Sequence, residues 1–215
     1  MDRLQYISTG QSAQQQQAQI HQALDHGATW IQLRWKHAPA PLSYYMLAET
    51  VKKMCTAYRA TLIINDQVDI AKEVDAEGVH LGLQDRPIAE ARALLGPAKW
   101  IGGTANTFQD VQQRQQEGCD YIGLGPFRFT RTKQNLSPIL GEAGYRQIIQ
   151  QIAQDAAAYP PIYAIGGIQL EDLPVLRAIG LDGVAISGQI NQQPELIPSI
   201  YKILNQTDEQ LTYSQ

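Results

Sequence analysis

Eight short runs of β-forming residues, each parted from the next by a helix-forming stretch, restrict this chain's fold more than any other feature. The runs are LQYIS (4–8), TWIQLRW (29–35), TLIIN (61–65), GVHLG (78–82), WIGGT (100–104), YIGLG (121–125), IYAIGG (162–167) and GVAIS (183–187). They are rich in Ile, Val, Leu and Tyr, as strands buried on both faces are. Between and after them, segments 11–26, 43–58, 68–74, 87–95, 107–117, 142–158, 170–179 and 194–204 space their apolar residues as helices do, Ile20 and Leu24 for instance lying four apart. A strand that returns parallel to its neighbour needs such a crossover, so the sheet is expected to be parallel throughout. Eight units in 215 residues predict a single (β/α)8 TIM barrel of the α/β class, near its compact limit. An open doubly wound sheet is disfavoured, because LQYIS leads into STGQS and not into a GxGxxG turn.

Boundary residues agree with this reading. Ser43 and Thr107 are expected helix caps, and Pro87 and Pro174 fall near helix beginnings, where a missing N–H is tolerated. Gly27, Gly96, Gly118 and Gly180 each follow a helical stretch, where a left-handed position suits glycine. The pattern predicts one domain over 1–206 and a frayed tail over 207–215.

Charge narrows the function. Lys and Arg number 17 against 21 Asp and Glu, a net charge of −4, which argues against a partner that is nucleic acid. Cys55 and Cys119 are far apart with no CxxC, so neither a disulfide framework nor a zinc cluster is indicated. No apolar run reaches the roughly 20 residues of a membrane span, and the first residues hold no apolar signal core. The expectation is a cytoplasmic protein that acts on small molecules, with no nucleic-acid or membrane partner; homo-oligomerisation is left open.

In such a barrel, chemistry sits at the C-terminal ends of the strands. The second run ends in Gln32, Arg34 and Lys36, alternating along QLRWK, so all three are expected on one side as an anion clamp. The third ends in Asn65-Asp66, and Asp85 follows the fourth. One carboxylate from each of two adjacent strand ends suits Mg²⁺, although the residues alone favour both aspartates as helix caps. Thr104 ends the fifth run, and the sixth enters GPFRFTRTK (125–133), whose hydroxyls and lysine suit phosphate or a solvated surface loop. Gly166-Gly167 and Ser187-Gly188 end the last two, leaving backbone N–H groups where barrels of this kind bind phosphate. That is the most specific physical signal in the chain, and it predicts a phosphorylated ligand. His80, inside the fourth run, is expected to be hydrogen-bonded within the barrel. No Ser-His-Asp constellation or reactive cysteine is legible.

These pieces in this order resemble the thiamine-phosphate synthase family: QLRWK at 32–36, IINDQVDIA at 63–71, GVHLGLQD at 78–85, YIGLGPFRFTRTK at 121–133, AIGGI at 164–168 and DGVAIS at 182–187. The resemblance implies a transferase of thiamine biosynthesis that joins an aminopyrimidine-methyl pyrophosphate to a thiazole phosphate with Mg²⁺ and releases pyrophosphate. By resemblance, Gln32, Arg34, Lys36, Asn65 and Lys133 hold the pyrimidine pyrophosphate, with Arg34, Lys36 and Lys133 the catalytic cations. Asp66 and Asp85 bind Mg²⁺, and Thr104 takes a serine's place near the pyrimidine. Thr130, Arg131, Thr132, Gly167, Ser187 and Gly188 meet the thiazole phosphate. The chain departs from the family pattern at Arg128-Phe129, Gln84, Asn106 and the register of Ser187. Three rival readings compete with it: a thiazole tautomerase, which has a histidine where Pro126 stands, a phosphosugar isomerase or epimerase, and a non-catalytic precursor binder. The retained Asp66, Asp85 and Lys133 favour the synthase.

Overall fold

A computed structural model describes residues 1–129 and 138–206. Thr130, Arg131, Thr132, Lys133 and the tail 207–215 therefore lie outside the described residues. In chain order the elements are β1 (Leu4–Ile7), α1 (Ala13–Asp25), β2 (Trp30–Leu33), α2 (Pro41–Tyr58), β3 (Thr61–Asn65), α3 (Val68–Glu73), β4 (Gly78–Leu81), α4 (Ile88–Leu95) and β5 (Trp100–Ala105). They continue with α5 (Phe108–Gln116), β6 (Tyr121–Leu124), α6 (Gly141–Gln154), β7 (Ile162–Ile165), α7 (Leu173–Ile179), β8 (Gly183–Ile186), α8 (Gly188–Gln192) and α9 (Ile197–Leu204). The strands close in the order β1 to β8, with β8 pairing β1 and every pairing parallel. This is the (β/α)8 barrel that the alternation predicted.

Side-chain direction alternates along each strand, so each strand feeds two cores. Outward residues such as Ile31, Leu33, Leu62, Ile64 and Ile122 pack against the helices in the main core. Inward, Trp30, Ile63, Tyr121 and Tyr163 fill the barrel floor, with Trp100 against them. The Tyr121 and Tyr163 rings each stand 5.0 Å from the Trp30 ring, edge to face, a favoured arrangement of aromatic quadrupoles. Gly102 makes the room: a Cβ there would lie 2.1 Å from the Tyr121 ring.

Several boundaries differ from the sequence reading. β2 stops at Leu33, so Arg34 and Lys36 lie beyond the strand. Helix α2 starts at Pro41 with Ala40 before it and no side-chain cap, so Ser43 sits in its first turn; Pro41, pre-shaped for a first helical position, sets the start instead. Thr107 does cap α5, in a reciprocal box with Asp110. Gly27, Gly96, Gly118 and Gly180 all have positive φ. One helix was expected after β8, whereas the structure has α8 at once and then α9. Among the described residues, no helix is long and apolar enough to cross a membrane.

Candidate active site at the barrel mouth

The ends of β3 and β4 bring two carboxylates together. Asp66 has a left-handed backbone with φ +64, a conformation that aspartate tolerates better than most residues, and its N–H donates to the His80 carbonyl at 3.0 Å. Asp85 curls back so that its Oδ2 accepts the Gly82 N–H at 2.6 Å. Neither aspartate caps a helix: Gln67 precedes α3 and Pro87 precedes α4, both without a side-chain cap. The cap reading that the residues alone favoured therefore fails, and both carboxylates are available to each other.

Burial pushes the Asp66 carboxyl up to about 6; its hydrogen bond with Asp85 pushes the same way, and Lys36 opposes. Burial also acts upward on Asp85, but the hydrogen bonds from Asp66 and the Gly82 N–H, with the Lys36 charge, outweigh it and hold Asp85 below its ordinary value. Below about pH 6, two partly buried carboxylates so placed share one proton, and it sits on Asp66. Lys36 forms an ion pair with Asp66. Burial lowers the Arg34 guanidinium's pKa, while the Asp66 charge raises it. The Arg34 main chain is pinned on both sides, its N–H donating to Ser8 Oγ at 3.0 Å and its carbonyl accepting Gln16 Nε2 at 3.0 Å.

This donor set fits Mg²⁺. It offers hard carboxylate oxygens whose mutual repulsion a dication would relieve. No cluster of three or more potential His, Cys, Asp or Glu ligands occurs among the described residues, so an ion here would complete its shell with water and substrate oxygens.

Gln32 is not at the mouth with Arg34 and Lys36. It lies inside the barrel, 1% exposed, and starts a chain of buried hydrogen bonds. Gln32 Nε2 donates to Gln5 Oε1 at 3.0 Å, and Gln5 Nε2 to the Tyr121 hydroxyl at 3.1 Å. The Tyr121 hydroxyl meets His80 Nδ1 at 3.2 Å, and His80 Nε2 meets Thr104 Oγ1 at 3.1 Å. With Gln5 Nε2 as donor to Tyr121, the chain continues in one direction when Tyr121 O–H donates to Nδ1 and Nε2–H to Thr104. The Thr104 hydroxyl is then left to donate onward at the mouth, and Asn65, at the end of β3, is buried as well. His80 is thus the internally bonded barrel residue that the sequence suggested.

On the opposite rim, Gly166 and Gly167 follow β7 with φ of +93 and +70. A Cβ on Gly188 would meet nothing within 4 Å, so its backbone is approachable. Ser187 Oγ lies 3.3 Å from Thr9 Oγ1, which also accepts Asn191 Nδ2 at 2.6 Å. The departures have local uses. Asn106 donates its amide to the Gly125 carbonyl, tying the end of β5 to that of β6. Arg128 reaches Asp172 and the Gly167 carbonyl.

Sequence reading missed Gln5, Tyr121, Arg114 and Asp172. Gln5 carried a signal, a lone amide inside an apolar strand. Arg114 carried none: from α5 its buried guanidinium donates to the Thr104 carbonyl at 3.0 Å and the Gly82 carbonyl at 2.9 Å, joining the mouth ends of β5 and β4 across distant sequence.

The family model for thiamine monophosphate synthase matches residues 4–190. This chain belongs to that family. Curated thiamine-phosphate synthases agree over nearly the whole length. That of Flavobacterium psychrophilum is 54% identical over 191 residues, covering 89% of this chain and 92% of that protein. That of Bacteroides fragilis is 49% identical over 183 residues, covering 85% and 89%. Among solved structures, a thiamine phosphate pyrophosphorylase from Pyrococcus furiosus superposes with a TM-score of 0.77 at 27% identity, over 95% of this chain and 97% of that one. Membership in the thiamine monophosphate synthase family makes the chain a transferase of thiamine biosynthesis. A 3-dehydroquinate dehydratase from Geobacillus kaustophilus, at 10% identity and TM-score 0.71, shares the barrel alone.

Proposed function

We propose that this chain joins 4-amino-2-methyl-5-pyrimidinylmethyl diphosphate to thiazole phosphate, yielding thiamine phosphate and pyrophosphate by a dissociative, Mg²⁺-assisted substitution. The observation that carries the reading is the Asp66–Asp85 pair with Lys36 and Arg34 on one side of a mouth whose other side holds the Gly166-Gly167 turn. One side suits a diphosphate with a divalent cation, the other a phosphate monoester.

The chemistry needs charge placement more than a nucleophile. The aminopyrimidine is electron-rich and stabilises the methylene cation left when the C–O bond to diphosphate breaks; the thiazole nitrogen then captures that carbon. Mg²⁺ held by Asp66 and Asp85 would supply positive charge to the departing diphosphate. Lys36 and Arg34 neutralise the same leaving group. Thr104, oriented by His80, offers its hydroxyl toward the pyrimidine with Asn65, while Gln32 acts from below through Gln5. Gly167, Ser187 and Gly188 hold the thiazole phosphate, which aligns the second substrate for capture. The family resemblance adds Lys133 on the diphosphate, and Thr130, Arg131 and Thr132 on the phosphate.

Pro126 stands where the thiazole tautomerase reading requires a histidine, which favours the synthase. The reading includes small-molecule substrates and a cytoplasmic setting. It is tested by chelation: EDTA should abolish pyrophosphate release from the two substrates and excess Mg²⁺ should restore it. Full turnover without any divalent ion would refute the metal's role.

A further inference from the structure

The chain leaving β6 stays beside the end of β7. Phe127 N–H donates to the Ile165 carbonyl at 3.0 Å and Arg128 N–H to the Gly166 carbonyl at 2.9 Å. A Cβ on Gly167 would lie 2.9 Å from Arg128 Cβ, so the two segments are in contact. From this position the Arg128 guanidinium spans three acceptors. Its two terminal nitrogens fork onto both oxygens of Asp172, and Nη1 also donates to the Gly167 carbonyl at 3.0 Å. The group rests 4.9 Å above the Phe127 ring. Asp172, whose side chain is only 7% exposed, also accepts the Gln169 N–H at 2.8 Å just ahead of α7.

We propose that Arg128 is a positioning residue for the phosphate-binding turn after β7, acting in two ways. It holds the Gly167 carbonyl turned away from the ligand, and it cancels the Asp172 carboxylate, which otherwise sits as an unpaired anion near a phosphate dianion. This rests on the reading that Gly167 meets the thiazole phosphate. An arginine suits the post because one planar fork serves a carboxylate bidentately and a carbonyl at once, which the point charge of lysine does not. A buried carboxylate stripped of its partner is strongly unfavourable, and a nearby dianion makes it worse.

The test separates this role from general scaffolding. Arg128→Gln should raise KM for thiazole phosphate roughly tenfold, the loss expected for a charged hydrogen bond, with kcat and KM for the pyrimidine diphosphate unchanged. Arg128→Lys should recover part of the loss. Asp172→Asn keeps an acceptor for Gln169 and leaves the Arg128 charge in place, so KM for thiazole phosphate should stay near wild type or fall. Should Arg128→Gln not fold, Arg128→Lys and Asp172→Asn decide the matter by the same opposed directions. Unchanged KM in the arginine variants, or a parallel loss for both substrates in the arginine and aspartate variants, overturns the proposal. Wild-type protein that makes no thiamine phosphate would count against the proposed function instead. The clasp would then be judged by calorimetry with thiazole phosphate, where Arg128→Gln should weaken binding about as much.

Discussion

Asp66 and Asp85, at the ends of neighbouring strands β3 and β4, are close enough for one carboxyl to donate a hydrogen bond to the other. The barrel register brings them there: Asn65 pairs with His80, and Asp66 N–H donates to the His80 carbonyl. Burial then makes two charges costly, and without a metal they are eased by Lys36 and, below about pH 6, by a shared proton. A dication eases them better.

The first prediction concerns pH. Asp66, held up at about 6, must lose its proton to bind a cation, so metal affinity should fall as pH drops through that value. In metal-free protein the sign for stability is the reverse. The Asp66 contribution is present at low pH and is lost as pH rises through about 6, whereas Asp85, held low, adds stability that is lost on acidification. Calorimetric titration with Mn²⁺ at pH 7.5 and pH 5 should show affinity weaker by roughly tenfold at the lower pH. Equal affinities would contradict the shared-proton account.

Removing either carboxylate should cripple turnover and spare the fold. Asp66→Asn and Asp85→Asn are each expected to lower kcat by on the order of a hundredfold, since the leaving group loses its neutralising charge. Circular dichroism should match wild type. Near-normal rates in both variants would sink the site assignment.

Tyr121→Phe tests the buried chain from Gln32 to Thr104. The lost hydroxyl leaves Gln5 Nε2 and His80 Nδ1 without that partner inside the barrel, which should cost about 1–3 kcal/mol in urea unfolding. A change below about 0.5 kcal/mol, the range of ordinary surface substitutions, would show that the chain is not a connected network.

Gly102→Ala tests how the floor is filled. Its methyl would press to 2.1 Å from the Tyr121 ring, and overpacking of this kind costs about 1–3 kcal/mol. Thermal melting should shift down by several degrees, and an unchanged melt would mean that the ring yields freely.

The barrel was legible because one pattern, β-forming run then helical run, recurs eight times and tolerates few topologies. Boundaries were less so: Pro41 overrode Ser43 as the start of α2, and the short α8 hides in GQINQ, too brief for any periodicity. At the site, Asp66, Asp85, Lys36 and Arg34 were readable as strand-end polar residues, yet sequence could not tell a metal pair from two helix caps. Backbone geometry ruled out the caps, through φ +64 at Asp66 and the Gly82 bond to Asp85. Gln32 was misplaced because period two gives a side and not a depth. Arg114 and Arg128 act across 32 and 44 residues, a separation that no local pattern records.

The most direct test mixes purified protein, the pyrimidine diphosphate, thiazole phosphate and Mg²⁺, and follows thiamine phosphate by fluorescence after oxidation to thiochrome. The account predicts thiamine phosphate and pyrophosphate appearing in equal amounts, with neither formed when one substrate is left out. Folded protein that binds thiazole phosphate but yields no thiamine phosphate would contradict it.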